Sequence, residues 1–224
     1  PPRSTLFPYT TLFRSLFAGS FFNILLAFLL YIVVAVSGER VLSPIIGEVS
    51  PDMPAFYAGL KSGDRIVKID GQEIKSWDGI SRAIVSSDSY ITMLIQRESR
   101  YFDVRIEPRL ADSKNIFGED IKKRLVGIAP KGEVETVYFS LFEAIPNALY
   151  KTIEASKLII KGMQKLVEGV VPVDQVGGVI SIVQVTDAAS SIGIGALLTL
   201  TALISVNLGI LNLLPIPEIG RAHV

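Results

Sequence analysis

Apolar and charged positions are segregated into blocks along this chain. Leu16–Gly38 contains no charged residue and carries FFNILLAFLLYIVVAV, and Ala188–Pro217 is equally uncharged and carries IGALLTLTALISVNLGILNLLPIP. Nearly all the charge lies between them. A helix needs about 20 apolar residues to cross a hydrocarbon core, so the pattern predicts transmembrane helices over 16–38 and 188–217. A buried core helix or a signal peptide gives similar runs. Core helices seldom stay apolar for so long, however, and the first run lacks a small-residue cleavage site. The expected fold class is therefore a membrane protein of mixed α + β type: two transmembrane helices flanking a small β-rich domain and an amphipathic helical region.

The β-rich domain is expected over Val41–Arg109. Pro51, Pro54 and Ala58-Gly59 bracket a turn or two of helix, with Gly59 placed as a left-handed C-cap. RIVKID (65–70) reads as a strand, and Asp70-Gly71 as a tight hairpin turn before Gln72-Glu73-Ile74. Trp77, Ile80 and Ile84 fall on one face of a helix over 77–86, and Tyr90–Arg97 with Tyr101–Glu107 reads as a closing antiparallel pair.

Residues 110–187 read as a linker containing an amphipathic helix. Its apolar stripe runs through Phe142, Ile145, Leu149, Ile153, Ser156, Ile160, Met163 and Val167, and Lys157, Lys161 and Lys165 form a basic stripe. Such a helix either lies along a membrane surface with its lysines at the headgroups or packs on the β-rich domain. Gly177 and Gly178 permit a turn before the last apolar run.

Composition narrows the chemistry. Lys and Arg total 22 against 22 Asp and Glu, which argues against nucleic acid as a partner, because such surfaces concentrate positive charge. Pro1–Ser15 (PPRSTLFPYTTLFRS) and Glu218–Val224 (EIGRAHV) match the translated ends of a short-read sequencing-library adapter. They are expected to be non-native, leaving Leu16–Pro217 as an internal fragment. The chain has no Cys, and its one histidine, His223, lies in the second of those flanks. A Cys or His metal site, a Cys nucleophile and a Ser-His-Asp triad are then excluded within 16–217, so no metal-ligating and no catalytic residue is expected in the fragment.

The last apolar run interrupts its own helix. Asn207 and Asn212 are costly amides in lipid, and Pro215 and Pro217 each remove a backbone donor. Irregular backbone survives at membrane depth only where protein or a wet cavity receives it. NLGILNLLPIP therefore points to an interior polar site, although a helix ending at the interface reads similarly.

Two resemblances add to this reading. IIGEVSPDMPAFYAGLKSGDRIVKIDGQEIKSW resembles a bacterial PDZ domain. That resemblance implies a peptide groove in which an extended ligand adds to a strand. Ser43–Val49 would be the accepting strand and loop, with Ile45, Ile46, Gly47, Glu48 and Val49 in the groove and Ile80 and Ile84 on the helical wall opposite. A plugged groove, in a domain that only spaces or gates, reads from the same residues. SVNLGILNLLPIP is similar to the final conserved segment of site-2 proteases, membrane-embedded zinc metalloproteases. Ala18-Gly19-Ser20-Phe21-Phe22-Asn23 is similar to their A-G-P-x-x-N, with Ser20 where Pro is usual, and VGGVISI to their G-G-P-I, with Val179 for Pro.

The family resemblance implies an intramembrane zinc endopeptidase of the bacterial inner membrane. Its partners would be the lipid bilayer, transmembrane protein substrates such as anti-sigma factors, and peptide or C-terminal ligands of the PDZ-like domain, which would be extracytoplasmic. Zinc is the implied cofactor, held in the family by an H-E-x-x-H helix and a Leu-Asp-Gly segment. Neither motif occurs here, so the fragment as written is expected to bind no zinc and to cleave nothing. Asn212, Pro215, Pro217 and Asn23 are the expected substrate-contacting or site-shaping residues. The rivals are a membrane-tethered PDZ adaptor without protease activity and an inactive family member. Genomic sequence read outward past both flanks discriminates them.

Overall fold

The computed structural model describes residues 8–87, 89–170 and 179–213. The chain divides into two units: a helical one drawn from residues 1–39 and 138–224, and a β-rich one spanning Arg40–Val137.

In the helical unit, α1 (Pro8–Ser37) and α6 (Ile194–Leu213) are antiparallel, since Gly195 lies against the Gly38 carbonyl and Asn212 against Gly19. Both are long and apolar enough to cross a membrane, over Phe17–Ser37 in α1 and over the whole of α6. Helix α4 (Leu141–Val167) packs on both, and α5 (Val179–Ile192) leads into α6. Ser140 starts α4 with a capping box: its backbone N–H donates to Glu143 Oε2 at 3.0 Å and its hydroxyl to the same oxygen at 2.8 Å.

What α4 buries differs from the stripe that its sequence pattern suggests. Ala144, Ala148, Thr152 and Ala155 are buried, whereas Phe142, Ile145, Leu149, Ile153 and Ile160 are exposed. Small side chains on the inner face let helix backbones approach closely, and that close approach selects the face. The charged sector forms a third side, where Lys157 pairs with Glu154 and Lys165 with Glu168.

The β-rich unit is built from short antiparallel ladders. Strand β1 (Glu39–Leu42) pairs with β10 (Val134–Val137), and β2 (Ile46–Val49) with β9 (Ile128–Pro130). A four-stranded sheet has the order β4 (Gln72–Glu73), β3 (Arg65–Ile69), β5 (Ile91–Arg97), β6 (Arg100–Ile106). Strands β7 (Arg109–Lys114) and β8 (Asp120–Leu125) form a hairpin. The single-turn helix α2 (Pro54–Tyr57) and helix α3 (Trp77–Ser86) complete the unit. The Asp70-Gly71 turn forms with both residues at positive φ, pairing Ile69 with Gln72. Helix α3 begins at Ser76, whose hydroxyl accepts the Gly79 N–H at 3.3 Å.

Alternation along the strands sends Ile66, Ile91, Met93 and Ile95 into one core, where they meet Ile46 and Ile80. Beside it, Asp64 is buried and fully engaged. Arg97 Nε donates to Oδ1 at 2.6 Å, Arg97 Nη2 to Oδ2 at 2.8 Å, and the Lys61 amide to Oδ2 at 2.8 Å. The Asp64 carboxylate holds the Arg97 guanidinium pKa above its ordinary value.

Candidate functional site

Two places gather the residues singled out by sequence, one in each unit. In the helical unit the meeting point is the α1–α6 seam. Gly209 is buried against α1 so closely that a Cβ there would stand 2.9 Å from Ile24 Cγ1, 3.1 Å from the Ser20 carbonyl and 3.4 Å from Asn23 Cβ. The Ser205 hydroxyl donates to the Asn23 carbonyl oxygen at 2.8 Å. One turn beyond Gly209, the Asn212 amide nitrogen lies 3.8 Å from the Cβ position of Gly19. Asn23, half-buried, and Asn212, exposed at the edge, thus lie a helical turn apart along one seam, and Asn207 is exposed as well. Pro215 and Pro217 lie outside the described residues.

In the β-rich unit, a cleft of about 400 Å³ runs between α3 and residues 123–128. Trp77, Ile80, Ile84 and Val85 form one wall; Leu125, Val126 and Ile128 form the other, with Met53 and Ser50 also lining the cleft. Lys123, Arg124 and Asp112 add charge to the lining. Gly127 is required here: its φ is +84°, and a Cβ would fall 2.2 Å from Met53 Cβ. The carbonyls of Val126 and Gly127 accept the Ala55 and Ser50 amides, each at 2.8 Å, which ties this wall to the rest of the unit.

The expected accepting strand is placed differently. Ile46, Glu48 and Val49 pair with Pro130, Ala129 and Ile128. Elsewhere on the same segment Ile46 N–H donates to Asp64 O, Gly63 N–H to Ile46 O, and Ile45 bridges to Arg65. A side chain at Gly47 would collide with the Pro130–Lys131 backbone. Strand β2 therefore has β9 along one edge, and at Ile45 and Ile46 its other edge is taken by residues 63–65. The segment that faces α3 across the cleft is 123–128, which falls within the expected linker over 110–187. Ile80 and Ile84 do line the cleft, but Ile46 and Ile80 are 0% and 1% exposed and belong to the core.

Ser205, Gly209, Met53 and the 123–128 wall were not singled out from sequence. The apolar run Val126-Gly127-Ile128-Ala129-Pro130 was the available signal for the wall. No three His, Cys, Asp or Glu side chains converge among the described residues, and His223 lies outside them. The described residues therefore do not fit a zinc ion.

A helical unit with two membrane-length helices joined along a polar seam, interrupted in sequence by a β-rich unit with an apolar cleft, defines a class that comparison identifies. The chain belongs to peptidase family M50, the site-2 protease family, which it matches over residues 8–219. It is similar to a candidate zinc metalloprotease of Campylobacter jejuni, at 39% identity over 93% of this chain and 56% of that protein. A candidate zinc metalloprotease of Helicobacter pylori strain J99 is 37% identical over 93% of this chain and 60% of its own length. The zinc metalloprotease RasP of Oceanobacillus iheyensis is 29% identical over 93% of this chain and 49% of its own length. The chain thus spans about half to three-fifths of the curated relatives it matches.

Proposed function

We propose that this chain is the substrate-handling part of a site-2-type intramembrane zinc endopeptidase in a bacterial inner membrane. The observation that carries the reading is the M50 match over residues 8–219, which takes in both membrane-length helices and the β-rich unit. On this reading the zinc donors belong to the length of the relatives that the chain does not span. Zinc, when bound, activates water for attack on a peptide bond. This chain's contribution is different. A substrate helix hides its peptide groups in its own hydrogen-bond ladder and must be unwound locally before attack. The Asn212 amide, just before Pro215 and Pro217, offers a donor and an acceptor to such an unwound segment, and the seam through Asn23 holds α6 in place. The β-rich unit is a PDZ-like module on the extracytoplasmic side, and its cleft takes an extended peptide, with 123–128 as the strand wall.

The test is to recover the complete reading frame from genomic DNA, express it in proteoliposomes and assay cleavage of a single-span reporter substrate. H-E-x-x-H upstream, Leu-Asp-Gly downstream and cleavage lost with a zinc chelator are expected. Asn212→Ala should lower kcat by about tenfold or more, as for loss of a donor that acts at the reacting segment. An open native frame lacking both motifs would sink the protease reading. The apolar cleft would then favour a second one, a membrane-tethered adaptor that binds peptides without cutting them.

A further inference from the structure

Helix α6 carries three hydroxyls, and they behave differently. Thr199 donates to the Gly195 carbonyl at 2.9 Å and Thr201 to the Leu197 carbonyl at 2.8 Å, each satisfied within its own helix. Ser205 has the same intrahelical option, the Thr201 carbonyl four residues back, but donates instead across the seam to Asn23 O. It is buried, as is Ser20 on the facing helix. We infer that Ser205 is a positioning residue whose hydroxyl fixes the register of α6 on α1 and so holds the Asn212 amide beside Gly19.

The buried residues of the seam include small ones, Ser20 and Ala27 on α1 and Ala202 and Gly209 on α6, beside the larger Tyr31, Val206 and Ile210. Sliding one helix by a turn, about 5.4 Å, would set Ser205 or Leu213 where Gly209 meets Ile24 and the Ser20 carbonyl, so close packing and the hydrogen bond favour the same register. A hydrogen bond is directional. The Asn23 carbonyl oxygen has two lone pairs, so it accepts the Ser205 hydroxyl in addition to its place in the α1 ladder, and no water competes in lipid. Asn212 is two turns further along α6, and the register set at Ser205 is transmitted to it by a rigid helix. The inference rests on the reading of Asn212 as a site-shaping residue, but its test concerns geometry alone.

The chain has no cysteine, so paired cysteines can be introduced without background. The 224-residue chain in liposomes, carrying Gly19→Cys and Asn212→Cys, is treated with a short bis-maleimide and cross-linking is timed. A second pair, Glu39→Cys and Lys151→Cys, replaces an ion pair between residue 39 and α4 and reports helix assembly elsewhere in the unit. Ser205→Ala should slow 19–212 cross-linking by about threefold to tenfold, the factor that one interhelical hydrogen bond in lipid sustains. It should raise cross-linking of an Asn23→Cys and Asn212→Cys pair and leave the 39–151 pair unchanged. Ser205→Thr, which keeps the hydroxyl, should restore the parent rate. Unchanged 19–212 cross-linking in Ser205→Ala, or a Thr variant as slow as the Ala one, overturns the inference. Equal loss at both the 19–212 and 39–151 pairs also overturns it, because the hydroxyl would then support assembly and not register. Loss of cleavage in Asn212→Ala is a separate result, so register and substrate contact fail independently.

Discussion

The two units bury different mixtures of side chain. In the β-rich unit the fully buried residues include Ile46, Ile66, Ile80, Ile91, Met93 and Ile95, and polar groups lie mostly outside. In the helical unit the buried residues include the small Ser20, Ala27, Ala148, Thr152, Ala202 and Ser205 beside Tyr31, Val34, Val206 and Ile210, while Phe21, Phe22, Leu26, Leu29 and Phe142 are exposed. Water drives large apolar groups inward at about 25 cal/mol per Å². In lipid that drive is absent, and close backbone approach and interhelical hydrogen bonds decide the packing. The outward direction of large apolar side chains on α1 is what a lipid-facing surface would show.

The sharpest way to break the comparison is to truncate one large apolar residue in each unit. Ile66→Ala should cost the β-rich unit about 3 kcal/mol, the usual penalty for emptying a tight core site. Leu29→Ala should change the stability of the chain in detergent micelles by less than about 0.5 kcal/mol, because an exposed residue loses no packing partner. Urea melts can be followed by the fluorescence of Trp77, the chain's one tryptophan, for the first variant, and by helical circular dichroism for the second. A large loss from Leu29→Ala would mean that the outward face of α1 is covered by protein, which would defeat the lipid interpretation.

Next in size is the buried charge. Asp64 is nearly inaccessible and holds Arg97 in a bidentate pair, with the Lys61 amide as a third donor. Arg97→Met should destabilise the β-rich unit by about 2–3 kcal/mol by leaving a buried carboxylate with one donor, while Asp64→Asn should cost less. The same melts test the ordering. Equal losses would show that the shape of the site, not its charge, carries the effect.

Sequence pattern made much of this legible where local chemistry was decisive. The helix over 77–86, the Asp70-Gly71 turn, the strand over 90–97 and the uncharged runs are each signalled by neighbouring residues, and each recurs in the fold. The boundary of the β-rich unit was not legible. It closes through Ile46↔Pro130 and the β1–β10 pair, contacts between residues more than 80 positions apart. The hairpin of β7 and β8 places Asp112 opposite Lys122 and Lys114 opposite Asp120, so its strands show no apolar alternation to read. For the same reason the cleft wall went unnoticed within a polar stretch. In α4, periodicity revealed an apolar stripe but could not say that the alanine face would be chosen for packing.

Steric pressure on the seam gives a smaller effect in the other unit. Gly209→Val places a branched side chain where even a Cβ meets Ile24 and the Ser20 carbonyl. Overpacking of this kind costs about 1–3 kcal/mol, and in lipid it should appear as separation of α1 from α6. Cross-linking of the 19–212 cysteine pair should fall more steeply than in Ser205→Ala. Gly162→Val, a substitution on α4 with open space around its Cβ, should leave it unchanged.

The smallest expected effect concerns the cleft, where binding must be separated from folding. Substituting charge at Ile46 or Ile80 cannot make that separation, since both side chains are core residues and their loss would unfold the unit. Val85 can, because it lines the cleft and is 51% exposed. Titration with an extended, valine-rich decapeptide should alter Trp77 fluorescence, as Trp77 lies in the helical wall. Val85→Asp should weaken that binding by about threefold to tenfold, equivalent to roughly 1 kcal/mol of lost apolar contact, and leave the urea midpoint where it was. A control at Tyr101, exposed on β6 away from the cleft lining, should change neither. If Val85→Asp binds the peptide as well as the parent chain does, the cleft is a packing feature of the β-rich unit. Its place in substrate selection would then pass to the membrane seam alone.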